Sequence, residues 1–334
     1  MSVIKNRYDF VYYFDCLDGN PNGDPDADNQ PRMDPETSQG LVSDVCLKRK
    51  VRDYVLQSEQ EAGKQKHGYD IFVLSGHTLE SRQRQPYEHL HLKNGPASAD
   101  EAPTLGETPA EINGERNAAK KEKKAKTGQN EQRASNIALA RTWMCENFFD
   151  IRAFGAVMST TEYNCGQVRG PIQLTFARSV DPVFPTEHTI SRQAFTGEKD
   201  VKNSQGTFGK KYTLAYGLYR AHGFISPAFA EIGPDPKKAK GTGFTEDDLA
   251  LFWKALGGMF DLDHSAARGL MTPRKLVVFK HASRLGEAPA QTLFEKIQAK
   301  KNERVDAPRK FEDYTWTLPS ADQLPTGVEL IVPF

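Results

Sequence analysis

An α+β fold with a ferredoxin-like core, in strand–helix–strand–strand–helix–strand order and interrupted twice, is what the sequence predicts. Three observations predict it. Aromatic and β-branched runs at 7–15, 171–177, 211–222 and 276–279 read as strands. Apolar stripes at helical spacing over 42–57 and 246–260 read as two helices. Polar, Pro/Gly-rich stretches at about 80–133 and 181–209 break the pattern, and read as insertions.

Taken in order, residues 7–15 open the fold as a strand, and 18–36, almost entirely Asp, Asn, Gly and Pro, form a loop without an element. The helix at 42–57 has Ser43 as its cap and Leu47, Val51, Tyr54 and Val55 as its apolar stripe, with Lys48 and Arg52 one turn apart beside it. A short strand is expected at 71–74. The insertion at 80–133 ends in a charged stretch, 120–126, that lacks an apolar stripe and is helical in part at most. The core resumes with a helix at 134–149 and a strand at 151–158 broken by Gly155. A turn at 166–170 carries Arg169, and the strand at 171–177 follows. Residues 181–209 read as an extended hairpin leading into the strand at 211–222. Leu249, Phe252, Trp253 and Leu256 form the buried face of the second helix. The strand at 276–279 is expected to be the last, followed by a tail with a short helix near 290–300.

Composition bounds the function more loosely. With 334 residues, 38% of them hydrophobic, the chain can bury a sizeable core. No run of eighteen or more apolar residues is present, so no membrane span is expected. The start has charge but no apolar segment after Arg7, so no signal peptide is expected. Cys16, Cys46, Cys145 and Cys165 match no zinc or redox spacing and read as free thiols. The 44 basic and 44 acidic residues cancel, which argues against a uniformly basic nucleic-acid coat. A single basic groove is still compatible with that balance.

A catalytic centre is hard to assemble from these residues. Asp15, Asp18, Asp24, Asp26, Asp28 and Asp34 offer carboxylates, and a metal-dependent nuclease using this acidic loop is the alternative reading. The loop fails the calcium-loop pattern: counting from Asp24, position six is Asn29 and position twelve is Pro35. Asx and proline turns are the simpler account. Asp261, Asp263 and His264 follow the second helix, where a local turn is expected. No metalloprotease, serine-hydrolase, phosphate-loop or dinucleotide motif occurs. Anion donors do occur in three places: the 19–24 loop with Arg32, the helix carrying Lys48, Arg49, Lys50 and Arg52, and Gln167 to Gly170. No aromatic motif of the common RNA-recognition kind is present.

The residues also carry a resemblance. Gly19-Asn-Pro-Asn-Gly-Asp-Pro25, Asn29-Gln-Pro-Arg32 and Ser43-Asp-Val-Cys-Leu-Lys-Arg-Lys-Val-Arg-Asp53 closely resemble the N-terminal signature of the CRISPR-associated Cascade backbone family, type I-C (Csd) branch. Phe154-Gly-Ala156, Arg169-Gly-Pro171, Ser179-Val-Asp-Pro182, His188-Thr-Ile-Ser-Arg192, Tyr216-Gly-Leu-Tyr219 and Phe260-Asp-Leu-Asp-His-Ser-Ala-Ala-Arg268 follow in the family's order. The resemblance runs from about residue 5 to 281.

The resemblance implies a hand-shaped subunit. Its palm is a modified RNA-recognition-motif fold at 1–79, 134–180 and 210–334, with a fingers insertion at 80–133 and a thumb hairpin at 181–209. It implies a non-catalytic role holding CRISPR RNA (crRNA) in the cytoplasm. Copies stack head-to-tail along the guide spacer, and target DNA joins through the crRNA heteroduplex. A crRNA-processing end subunit and large and small subunits complete the complex, and a nuclease-helicase is recruited to it. RNA-contacting residues expected from the family are Asn20, Asn22, Arg32, Lys48, Arg49, Arg52, Gln167, Arg169, His188, Thr189 and Arg192. No catalytic residue, cofactor, metal ligand or membrane partner is expected.

Overall fold

A computed structural model describes residues 2–61, 67–92, 118–159, 162–192, 207–232 and 241–334. Residues 93–117 of the predicted insertion and 193–206 of the predicted hairpin lie outside the described residues. In chain order the elements are β1 (Tyr8–Gly19), β2 (Gly23–Asp24), β3 (Gln30–Pro31), β4 (Gln39–Val42), α1 (Asp44–Glu61), α2 (Leu79–His89), α3 (Ala118–Asn147) and α4 (Phe149–Phe154). There follow β5 (Gly155–Met158), β6 (Gly166–Arg169), β7 (Ile172–Leu174), β8 (Ala177–Pro182), β9 (Pro185–Arg192) and β10 (Thr207–Ile225). The chain ends with α5 (Glu246–Gly258), β11 (Leu270–His281), α6 (Ala290–Phe294), β12 (Gln298–Lys301), β13 (Tyr314–Thr317) and β14 (Val328–Ile331). It divides into two compact units, one of Met1–Lys64, Ile172–Pro227 and Thr245–Phe334, the other of Gln65–Pro171 and Ala228–Phe244.

The first unit is built on an antiparallel sheet in the order β14-β11-β1-β10-β8-β4, with β7 and β9 also pairing with β10. β1 is central because both its faces are apolar. Phe10 meets Phe252 and Trp253 edge-on at 5.9 and 5.0 Å, and Phe14 lies 5.3 Å from Phe260. The alternate residues Val11 and Tyr13 enter a separate cluster on the opposite, outer face. Phe10 stands opposite Gly223 on β10, and a Cβ there would meet the Phe10 ring at 2.0 Å, so the bare glycine makes room for the ring.

β1, α1, β8, β10, α5 and β11 reproduce the predicted strand–helix–strand–strand–helix–strand order, and the two helices pack together. Both are well capped. The Ser43 hydroxyl accepts the Cys46 N–H at 3.3 Å, and Thr245 and Asp248 form a reciprocal capping box. Leu47, Val51 and Val55 are fully buried, as are Phe252, Ala255 and Leu256.

The tail is not an appendage. α6, β12 and β13 cap the outer face of the sheet, where Leu293, Phe294, Ile297 and Tyr314 complete the cluster around Val11, Tyr13, Tyr216 and Phe279. Trp316 sits edge-on against Tyr13 at 4.7 Å. β14 extends the sheet beyond β11, so the strand at 276–279 is neither so short nor the last.

The second unit packs α2, α3 and α4 around Phe72, Met144, Phe148, Ile151 and Met158. Four expectations are corrected here. Residues 71–74 form no strand, because the Phe72 and Val73 N–H groups are taken by the Asp150 carboxylate at 2.8 and 3.0 Å. The stretch at 151–158 is helix as far as Phe154 and strand only from Gly155, whose φ of +79° ends the helix. The turn expected at 166–170 is β6, paired antiparallel with β5 from Gly166 opposite Met158 to Arg169 opposite Gly155. The helix expected from 134 begins at Ala118. In the first unit, the supposedly element-free 18–36 holds the small β2–β3 pair and a 3-10 turn at Pro25–Ala27, and β4 was not expected.

Candidate nucleic-acid interface

Three of the signature stretches, distant in sequence, meet at one end of β1. Gly19 passes so close to the chain at Arg268 that a Cβ would lie 1.9 Å from the Arg268 carbonyl, which only glycine permits. The loop then turns back on itself. Asn20, buried, donates its side-chain amide to the Asn29 carbonyl at 2.7 Å. The Asn22 side-chain amide oxygen accepts from both the N–H and the hydroxyl of Ser43, at 2.9 and 3.0 Å. Arg268 donates to the Pro21 carbonyl at 3.3 Å and faces Asp263 at 3.1 Å. The loop, the start of α1 and residues 260–268 are thereby one construction.

The cations on this construction differ in availability. Arg49 is 69% exposed, with Asp53 3.7 Å away one turn along. Lys48 pairs with Asp44 at 2.8 Å, and Arg32 faces Asp24 at 3.3 Å. Such pairs at the surface contribute roughly 0–1 kcal/mol, so a phosphate can replace the carboxylate at small cost. Arg52 lies half-buried on the same helix. Lys50, counted among the helix's anion donors but not among the expected RNA contacts, is the inward one: it is 3% exposed and ion-paired with Asp263. Burial pushes its ammonium down to about 8.

The β9–β10 hairpin projects beyond the sheet in the predicted 181–209 region, with Pro185 opposite Leu214 and Arg192 opposite Thr207. His188 and Thr189 are exposed on its opposite faces, and His188 shares a hydrogen bond with Thr213 at 2.9 Å. Lys210 pairs with Glu187 at 2.9 Å, which holds that carboxyl below the usual carboxylate range and raises the lysine. Phe208 is 71% exposed and Ile190 40%. A two-stranded ribbon bare on both faces is marginal alone and gains from a partner surface.

In the second unit Gln167 and Arg169 point from the same exposed face of β6. The Arg169 guanidinium lies 4.3 Å from the Phe229 ring centroid, which steadies it without neutralising it.

The acidic loop carries turns, as expected. The Asp24 carboxylate accepts the Asp26 N–H at 3.2 Å, and Asp34 accepts from Glu36 and Thr37 and pairs with Arg178 at 2.6 Å. The Arg178 hydrogen bond holds Asp34 below the usual carboxylate range. Among the described residues no group of three or more His, Cys, Asp or Glu side chains is placed to hold a metal ion. No helix among them is long and apolar enough to cross a membrane.

The chain is similar to several known proteins. The family described as CRISPR-associated protein Cas7 matches residues 6–319. A CRISPR-associated protein Cas7 of Haloferax volcanii (strain DS2) is 44% identical over 68 residues, which are 20% of this chain and 17% of that relative's length. Among solved structures, a chain of a CRISPR RNA-guided surveillance complex, pre-nicking, aligns over 82% of this chain and 78% of its own, at 13% identity and a TM-score of 0.42. A chain of a Type III-B Cmr-beta complex bound to cognate target RNA aligns over 82% of this chain and 61% of its own, at 9% identity and a TM-score of 0.36.

Proposed function

The chain belongs to the CRISPR-associated protein Cas7 family, and from that premise we propose that it is a non-catalytic crRNA-binding backbone subunit of a type I-C surveillance complex in antiviral defence. The match over residues 6–319 carries the reading, since it embraces the loop, α1, the hairpin and β6 together. The ordered signature from Gly19 to Arg268 supports the type I-C branch. Copies assemble head-to-tail along the guide spacer in the cytoplasm. The guide bases stay free to pair with target DNA. A crRNA-processing end subunit, large and small subunits and a recruited nuclease-helicase act with it.

Within this reading Arg32, Lys48, Arg49 and Arg52 hold guide phosphates from one surface, and Gln167 and Arg169 from another. Asn20 and Asn22 shape the loop. Residues 181–209, with His188, Thr189 and Arg192, act as a thumb, and 80–133 as fingers. Lysine and arginine contacts to phosphate are blind to base identity, which suits a subunit that must accept any spacer. The capped centre of the sheet's outer face supports the same view, because an aromatic platform there would occupy bases needed for pairing.

The test is to purify the protein from cells carrying a CRISPR array, size the RNA that accompanies it, and titrate salt. RNA of one discrete length is expected. Lys48→Ala/Arg52→Ala is expected to weaken binding and make the salt slope shallower by about two units. Random lengths, no RNA, or an unchanged slope would overturn the proposal. So would magnesium-dependent RNA cleavage abolished by Asp24→Ala, which would establish the nuclease reading instead.

A further inference from the structure

We propose that a cleft on the outer face of the sheet, beside the C-terminal cap, is a binding site for a nucleotide, taking its phosphate and its base together. Tyr13, Arg220 and Arg178 stand in one cross-strand row on β1, β10 and β8. Like charges directly opposite each other destabilise a strand pair, so two facing arginines call for an anion between them. Arg178 has a partial answer in Asp34 at 2.6 Å. Arg220 has less. One of its N–H groups goes to the Phe294 carbonyl at 2.7 Å, and its buried Nε has no partner among the described residues. A guanidinium presents five N–H donors in a planar fork suited to phosphate, so most of this capacity is unused.

The surroundings narrow the ligand. The cavity measures about 410 Å³, which lies within the range of small-ligand sites. Lys300, exposed on β12, brings a third cation to its edge, and no aspartate or glutamate stands among its lining residues. Tyr13, His222 and Phe176 give flat walls, and Phe176 is 52% exposed. Arg220 and His222 also border an adjoining cavity of about 480 Å³ that contains Phe224, Phe294 and one acidic side chain, Glu295. An acidic peptide would answer the guanidiniums but leave the aromatic wall bare. A nucleotide answers both, with phosphate at the paired arginines and base against Phe176. The cleft does not depend on the chain holding a guide.

The experiment titrates the full-length protein, freed of co-purified nucleic acid, with adenosine 5′-monophosphate in a calorimeter, with inorganic phosphate and hexaglutamate in parallel. The mononucleotide is expected to bind about tenfold or more tighter than inorganic phosphate, because the base adds a stacking contribution. Arg178→Gln/Arg220→Gln is expected to weaken it about tenfold or more. Lys300→Ala, at an exposed position that leaves folding intact, is expected to weaken it about threefold. Lys48→Ala/Arg52→Ala is expected to leave it unchanged, and RNA co-purification is expected to survive Lys300→Ala, so this site and the guide surface are read separately. Absence of mononucleotide binding by the wild-type protein would overturn the proposal. So would binding untouched by Lys300→Ala, or hexaglutamate binding as tightly as the mononucleotide, which would make the cleft an acidic-peptide site.

Discussion

Asn22 and Ser43 are joined twice: one amide oxygen accepts both the backbone N–H and the hydroxyl of the serine, at 2.9 and 3.0 Å. The same serine caps α1 through the Cys46 N–H at 3.3 Å. The loop after β1 and the first turn of the helix are therefore held as one body, and the basic side chains of that helix inherit their placement from an asparagine more than twenty residues upstream.

Asn22→Ala removes the shared acceptor and is expected to destabilise the protein by about 1–2 kcal/mol, with a parallel loss of RNA affinity. Asn22→Asp keeps the shared acceptor and adds a negative charge beside the proposed phosphate path. It is expected to retain the melting temperature to within a few degrees and still bind RNA more weakly. Equal RNA affinity for Asn22→Asp and wild type would place the guide elsewhere.

Lys50 supplies a pH test. Its ammonium is pushed from 10.5 down to about 8 by burial. Between those values the unfolded chain holds the proton more tightly than the folded one, so stability rises with pH across pH 8 to 10.5. The gain is complete above 10.5 and is lost as pH falls through 8. Its ceiling is about 3 kcal/mol. Urea unfolding at pH 7.5, 9 and 10.5 is expected to show this rise as a difference between wild type and Lys50→Met. Tyrosines titrating in the same range cancel in that difference. Parallel curves for the two proteins would rule the effect out.

Lys50 also shows where local pattern served and where it did not. It lies three residues after Leu47, on the buried stripe, so helical spacing turns it inward while Arg49 faces out, although it was counted with Lys48, Arg49 and Arg52 among the anion donors. β1, α1 and α5 were legible for the same reason: their apolar periodicity is a property of the segment itself. The run at 71–74 looked like a strand, but its N–H groups are claimed by Asp150, a partner no local window contains. Of the C-terminal cap only the short helix near 290–300 was expected; β12 and β13 were not, because they are four residues each and their burial comes from the sheet face beneath them. Asn20 and Asn22 were selected as RNA contacts from the resemblance. Their amides hold the loop, while Asp263, read as part of a local turn, pairs with Lys50, and Arg268 braces Pro21.

His222 makes the cap acid-sensitive. Its ring stacks on Phe294 at 4.7 Å, and burial, with Arg220 nearby, lowers its pKa to about 4. A depressed folded value means the stabilisation is complete above about 6.5 and disappears as pH falls through 4. At pH 4.5 the wild type is expected to lose about 2 kcal/mol relative to His222→Phe, allowing for the partial exposure of the ring. Chemical denaturation of both proteins at pH 4.5 and 7 measures this. An equal loss in both would assign the acid sensitivity to other groups.

The far edge of the sheet depends on a buried charge. Asp9 and His281 are both completely buried; Nε2 of His281 and an Arg7 N–H group lie 3.0 and 2.8 Å from the same Asp9 carboxylate oxygen, and Arg7 Nε lies 3.3 Å from the other. The Asp9 carboxylate can only accept, so Nε2 carries a proton and donates to it, while Nδ1 lies 3.0 Å from the Glu287 N–H and 3.2 Å from the Glu287 carboxylate. His281→Ala leaves a buried carboxylate with the arginine alone and opens a cavity beside it. A loss of about 3–5 kcal/mol is expected in urea unfolding. His281→Gln can still donate to Asp9 and is expected to lose less than half as much. If the glutamine variant were as unstable as the alanine one, packing of the imidazole ring would be what holds this edge, and the hydrogen bond to Asp9 would be incidental.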